Sequence, residues 1–147
     1  MTSSPSVCTL DDTTNAAARI MWERDCGAAP VVDRSGRVVG IVTDRDICIA
    51  AYFQGEPLSN IRVSDVMSRE LCTCRPEDPV TSAEHLMREH QVRRLPVVTD
   101  GMTLVGILSL SDLAQAVPSR TDGRQPPESQ ELLQVVSAVS EPRTSIP

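Results

Sequence analysis

A chain of 147 residues with a formal net charge of −6 and three aromatic residues, Trp22, Tyr52 and Phe53, can bury a core as one domain or as two small halves. It offers neither a stacking platform for single-stranded nucleic acid nor a cationic surface for a phosphate backbone, which excludes nucleic acid polymers but not a small nucleotide at a local site. No apolar run approaches the roughly 18–20 residues that span a bilayer, and Met1-Thr2-Ser3-Ser4-Pro5 lacks the basic and apolar regions of a signal peptide, so a cytoplasmic protein without membrane contact is expected.

The elements follow from periodicity and turn residues. Val7-Cys8-Thr9-Leu10 reads as a short strand. Asp12 or Thr13 caps a helix whose apolar face is Ala16, Ala17, Ile20 and Met21, closed by Gly27. Ala29-Pro30-Val31-Val32 is a buried strand with proline near its start, Asp33-Arg34-Ser35-Gly36 a turn, and Val38 to Thr43 the returning strand. A helix from Asp44 to about Phe53 ends at Gln54-Gly55-Glu56-Pro57. Ile61 to Met67 forms a bridge. Strand Leu71–Cys74, a helix from about Val80 to His90, strand Leu95–Val98, a turn at Thr99-Asp100-Gly101, strand Leu104–Ser109 and a helix from about Leu110 to Val117 then repeat the order. Residues 118–130 read as a polar linker, and Glu131–Val139 as a short amphipathic helix capped by Ser129, with Pro142 beyond it.

The repetition is literal. Sliding the sequence by 66 residues aligns Cys8 with Cys74, Ala17 with Ala83, Met21 with Met87, Pro30-Val31-Val32 with Pro96-Val97-Val98, and Asp46 with Asp112, without a gap. An ungapped match through strands, helices and turns marks two copies of one structural unit. The predicted class is α/β, two β-α-β-β-α units over residues 1–60 and 61–117, with residues 118–147 forming the linker and final helix. Each half has too few strands to bury its sheet alone, so the halves are expected to pack face to face. The same offset places Met67 on Met1, and the residues before Met67 have no counterpart in the first copy; the natural start is expected upstream.

The sharpest signal is Gly40-Ile41-Val42-Thr43-Asp44-Arg45-Asp46, repeated as Gly106-Ile107-Leu108-Ser109-Leu110-Ser111-Asp112. Each is a strand ending in a hydroxyl residue, followed three positions later by a carboxylate as a helix begins. Free amides and the positive dipole end suit a phosphate there. The hydroxyl adds a hydrogen bond, and the carboxylate accepts both hydroxyls of a ribose. Read blandly, the same residues are helix caps.

These motifs, with Val63-Ser64-Asp65-Val66-Met67, Ala28-Ala29-Pro30-Val31-Val32 and Val92-Arg93-Arg94-Leu95-Pro96-Val97-Val98, resemble a tandem pair of CBS domains, a Bateman module, over about residues 6 to 117. Within that family the chain is similar to the short stand-alone bacterial members. The resemblance implies a regulatory module, not an enzyme. Such modules bind AMP, ADP, ATP, NAD or S-adenosylmethionine in clefts between the repeats, with no required cofactor, and act through a homodimer or an effector protein. It carries the hydroxyl role to Thr43 and Ser109, the ribose role to Asp46 and Asp112, and phosphate contact to Arg93 and Arg94. Ala28 and Ala29 stand in their place in the first unit, where Arg45 is the substitute cation.

Catalysis is not indicated: there is no nucleophile elbow, no phosphate-binding glycine loop and no spaced His/Cys set. His85 and His90 are five apart, off the spacing of a helical metal pair, so no metal site is expected. The five cysteines, Cys8, Cys26, Cys48, Cys72 and Cys74, are odd in number and lack zinc spacing. They read as reduced, buried thiols, with Cys72 and Cys74 on one side of a strand. Two rivals stand beside ligand sensing: a non-liganded dimeric scaffold, and a redox switch built on those cysteines.

Overall fold

The structure, a computed structural model, describes residues 1–116 and 127–140. Its elements run β1 Thr2–Ser3, β2 Cys8–Thr9, α1 Thr14–Glu23, β3 Ala28–Val32, β4 Val38–Thr43, α2 Asp44–Gln54, α3 Val63–Val66, α4 Val80–His90, β5 Arg94–Thr99, β6 Thr103–Ser109, α5 Leu110–Ala116 and α6 Pro127–Ser140. Two three-stranded sheets result, ordered β2-β3-β4 and β1-β6-β5. The chain divides into two compact units, one of residues 3–71 and 98–106, the other of residues 1–2, 72–97 and 107–147.

In the first of these, β2 pairs parallel to β3, Cys8 opposite Val31, and β3 runs antiparallel to β4 with a bulge between Val31 and Val32. All five residues of β3 are buried, as expected of a strand with both faces covered. The hairpin closes at Asp33, whose Oδ1 accepts from the amides of Ser35 (2.8 Å) and Arg37 (3.0 Å), with Gly36 at φ 76°. Thr13 caps α1 by accepting from the Ala16 amide. Ala17 and Met21 sit one helical turn apart and enter the core with Cys8, Val31, Val42 and Met67. The segment after α2 is zipped along the start of α1: Thr14 N donates to Ile61 O, Val63 N to Asp12 O, and the fully buried Thr14 hydroxyl to Leu58 O at 2.9 Å. Ser68 then exchanges both backbone hydrogen bonds with Ile41, at 3.0 and 2.9 Å.

In the other unit α4 buries Ala83, Glu84 and Met87, and α6 packs mainly on α4, with Val135 and Val139 buried. The expected strand at Leu71–Cys74 is not formed. Only Cys74 bridges, parallel to Val97, the same register that Cys8 has with Val31. Leu71 is instead drawn into a cluster with Val32, Val38 and Val98, which leaves Cys72 and Thr73 without a ladder. The final helix is longer than expected. It begins at Pro127, so residues 127–130 are helix rather than linker and Ser129 lies inside it; the linker residues 118–126 and Pro142 lie outside the described residues. Strand β1, unforeseen, adds to β6 as Ser68 adds to Ile41.

Candidate functional site

At the first strand-to-helix junction Thr43 is extended (φ −117°, ψ 162°) and caps α2. Its Oγ1 accepts from the Asp46 amide at 3.2 Å. Asp46 Oδ2 in return accepts from the Thr43 amide at 2.9 Å and from the Thr43 hydroxyl at 2.7 Å. This is a reciprocal capping box. The sheet fixes its position, because Thr43 pairs with Ala28 across β3 and β4.

The second junction repeats the first nearly atom for atom. Asp112 Oδ2 accepts from the Ser109 amide at 2.8 Å and hydroxyl at 2.6 Å, and Ser109 Oγ accepts from the Asp112 amide at 3.2 Å. Asp112 differs in its other oxygen, which accepts from the Met1 ammonium at 2.8 Å. Burial alone would raise the Asp112 carboxyl, but the hydrogen bonds from that ammonium and from Ser109 outweigh it and hold the group below the usual carboxylate range.

The amides expected to be free at these junctions are partly engaged within the chain. At the start of α2 the Asp44 amide donates to Gly27 O, the Arg45 amide to Asp44 Oδ1 and the Asp46 amide to Thr43 Oγ1. At α5 the Leu110 amide donates to Arg93 O at 2.9 Å. At the start of α2 the first three amides are thus engaged within the chain, whereas at α5 those of Leu110 and Asp112 are. Arg45 is exposed beside Asp46, Arg93 is exposed, and Arg94 is half-buried at the start of β5. No guanidinium of these three enters an ion pair among the described residues. Ala29 is fully buried in the core, with no exposed surface to offer. The 66-residue register refines the comparison, since Arg94 corresponds to Ala28, Arg93 to Gly27 and Leu95 to Ala29.

Sequence reasoning missed an apolar hollow of about 480 Å³ lined by residues of both α1 and α2, Met21, Trp22, Ile47, Cys48 and Ala51 among others. Of the chain's three aromatic residues, Trp22 lines it. Among the described residues no group of three or more His, Cys, Asp or Glu side chains could hold a metal ion, and no helix is long and apolar enough to cross a membrane. All five cysteines are free.

Comparison with known proteins accords with this geometry. The profile of the CBS domain matches residues 1–52 and 63–119. The CBS domain-containing protein YhcV of Bacillus subtilis is 41% identical over 114 residues, 78% of this chain and 79% of that protein. Hypoxic Response Protein I, solved with two coordinated zinc ions, superposes with a TM-score of 0.73 at 30% identity, covering 80% of this chain and 95% of that one. The CBS domain pair of MJ0100, in complex with 5′-methylthioadenosine and S-adenosyl-L-methionine, gives 0.68 at 26% identity over 78% and 89%. Two matched repeats, each ending in the same hydroxyl–carboxylate junction, make this chain a member of the CBS-domain family.

Proposed function

We propose that the protein is a cytoplasmic regulatory module that binds an adenosine-containing ligand at its strand-to-helix junctions and signals by a change in its contacts with a second copy or an effector. CBS-domain proteins are in general regulatory, and the solved pair of MJ0100 holds two adenosine compounds. The observation that carries the reading is the state of Asp46. Its Oδ2 is engaged twice by Thr43, while Oδ1 has no partner among the described residues. A carboxylate has about four lone-pair sites, so Oδ1 retains room for both hydroxyls of a ribose without dismantling the cap. Arg45 supplies positive charge for a phosphate at that junction. At the other junction Arg93 and Arg94 do so, and Asp112 takes the ribose. Regulation follows if the ligand binds one conformation better than another.

Calorimetric titration of AMP, ATP, NAD and S-adenosylmethionine into nucleotide-free protein, with Asp46→Ala and Asp112→Ala, tests this. Saturable heat lost in one variant supports the reading and names the junction. No heat with any ligand defeats it in favour of a scaffold without ligand, a reading favoured by the capping boxes, which satisfy both hydroxyl–carboxylate pairs internally.

A further inference from the structure

The hollow lined by α1 and α2 lies wholly within the unit of residues 3–71 and 98–106. Its lining follows one stripe of each helix, Ala18 and Trp22 on α1 and Asp44, Cys48 and Ala51 on α2, at spacings of three and four residues. Its volume of about 480 Å³ falls within the roughly 300–1,000 Å³ of small-molecule pockets, which pair an apolar lining with a few polar groups that fix orientation. Here the lining holds a single charged side chain, Asp44. Its Oδ1 accepts from the Arg45 amide at 2.7 Å, and the carboxylate enters no ion pair among the described residues. Trp22, 88% exposed, brings an indole to the same hollow.

The second repeat has no such opening. Sixty-six residues on, Ala18 is replaced by Glu84, Trp22 by Arg88 and Asp44 by Leu110. There α6 packs over the helices, with Arg88 Nη1 donating to Gln134 Oε1 at 3.2 Å and Gln91 Nε2 donating to Ala138 O at 3.4 Å. In the first repeat the small Ala18 stands where Glu84 takes up space, and a carboxylate and an indole stand where Leu110 and Arg88 do. Both of these groups attract cations, the carboxylate by its charge and the indole by the negative face of its ring. The rest of the lining, including the polarisable sulfurs of Met21 and Cys48, accepts apolar surface. An anion would meet Asp44 on a chain of net charge −6 and be repelled.

We propose that this hollow binds a small amphiphilic cation, an aromatic or branched alkyl body carrying an ammonium group, with the body in the hollow and the ammonium at Asp44 beside Trp22. The site is separate from the strand-to-helix junctions, and its test uses no nucleotide, so its failure and that of adenosine binding are distinguishable. Three probes of matched shape are titrated into the full chain: 3-phenylpropylammonium, 3-phenylpropanol and 3-phenylpropionate. Binding is followed by the emission of Trp22, the chain's only tryptophan. The expected result is a saturable change with the ammonium, half complete at about 1 mM or below. The alcohol binds at least about threefold more weakly, as the loss of an exposed ion pair allows, and the carboxylate more weakly still. Asp44→Asn, on an exposed site, removes the preference for the ammonium and leaves the alcohol bound. Ala51→Phe, which occupies the hollow, abolishes the response to all three; both variants are checked by unchanged far-ultraviolet circular dichroism. No saturable response to any probe, as for a face reserved for another protein, overturns the proposal. So does equal binding of the three, a preference that survives Asp44→Asn, or binding that survives in folded Ala51→Phe.

Discussion

Met67 packs against Gly40 so closely that a β-carbon on Gly40 would lie 2.5 Å from its Sδ and 3.0 Å from the Ser68 carbonyl oxygen. The glycine of the repeated Gly-Ile motif is thus required by the approach of the following segment, not by backbone conformation. Replacing it means pushing back both a core methionine and a chain held by two hydrogen bonds to Ile41. Gly40→Ala should destabilise by about 1–3 kcal/mol, the usual cost of overpacking, measured as a lower urea midpoint at unchanged slope. A neutral result would mean that Met67 and Ser68 yield freely.

Asp46 joins two roles that substitution can separate. Asp46→Ala removes the capping box and should cost about 1 kcal/mol of stability as well as ligand binding. Asp46→Asn keeps an acceptor for the Thr43 amide but loses the charge, so stability should largely hold while affinity for an adenosine ligand falls at least about tenfold. Equal losses of stability and affinity in the asparagine variant would reduce Asp46 to a cap.

Glu84 carries a buried carboxyl on α4. Burial, and secondarily the Glu131 carboxylate on α6, push it above the usual range. Its contribution is then fully present below the ordinary carboxylate value and lost as pH rises through the raised one. Glu84→Gln should therefore melt higher than the parent at pH 7, with the advantage vanishing below about pH 4. Thermal melts at the two pH values decide it; an advantage that grows on acidification has the wrong sign.

Thiol chemistry should follow burial. Burial, with smaller effects from Asp12 and Cys26, pushes Cys8 up to about 11, and burial likewise raises Cys72 and Cys74. Since the thiolate is the nucleophile, these three should resist iodoacetamide at pH 7.5. In dilute protein the exposed Cys48 should alkylate first, as seen by peptide mass spectrometry. Rapid modification of Cys72 and Cys74, or a disulfide between them after diamide, would restore the redox switch.

The two repeats and most of their elements were legible because the 66-residue register carries side-chain periodicity and turn chemistry together. Thr43, Asp46, Ser109 and Asp112 were legible as pairs for the same reason, although spacing could not show that each pair is already bonded to itself. What escaped depended on distant partners. Strand β1 has only two residues and exists because β6 receives it; Leu71 left its expected strand for a cluster formed by Val32, Val38 and Val98. Nor does an apolar stripe reveal what covers it: Val135 is buried on α4 and α5, whereas Trp22 stands in solvent.

The cover that α6 provides has a consequence at high dilution. A helix carried on the same chain covers α4 at any dilution, so the stability it confers is intramolecular. The contacts of Val135 and Val139 that it buries are therefore kept at the lowest protein concentration, with no partner needed to maintain them.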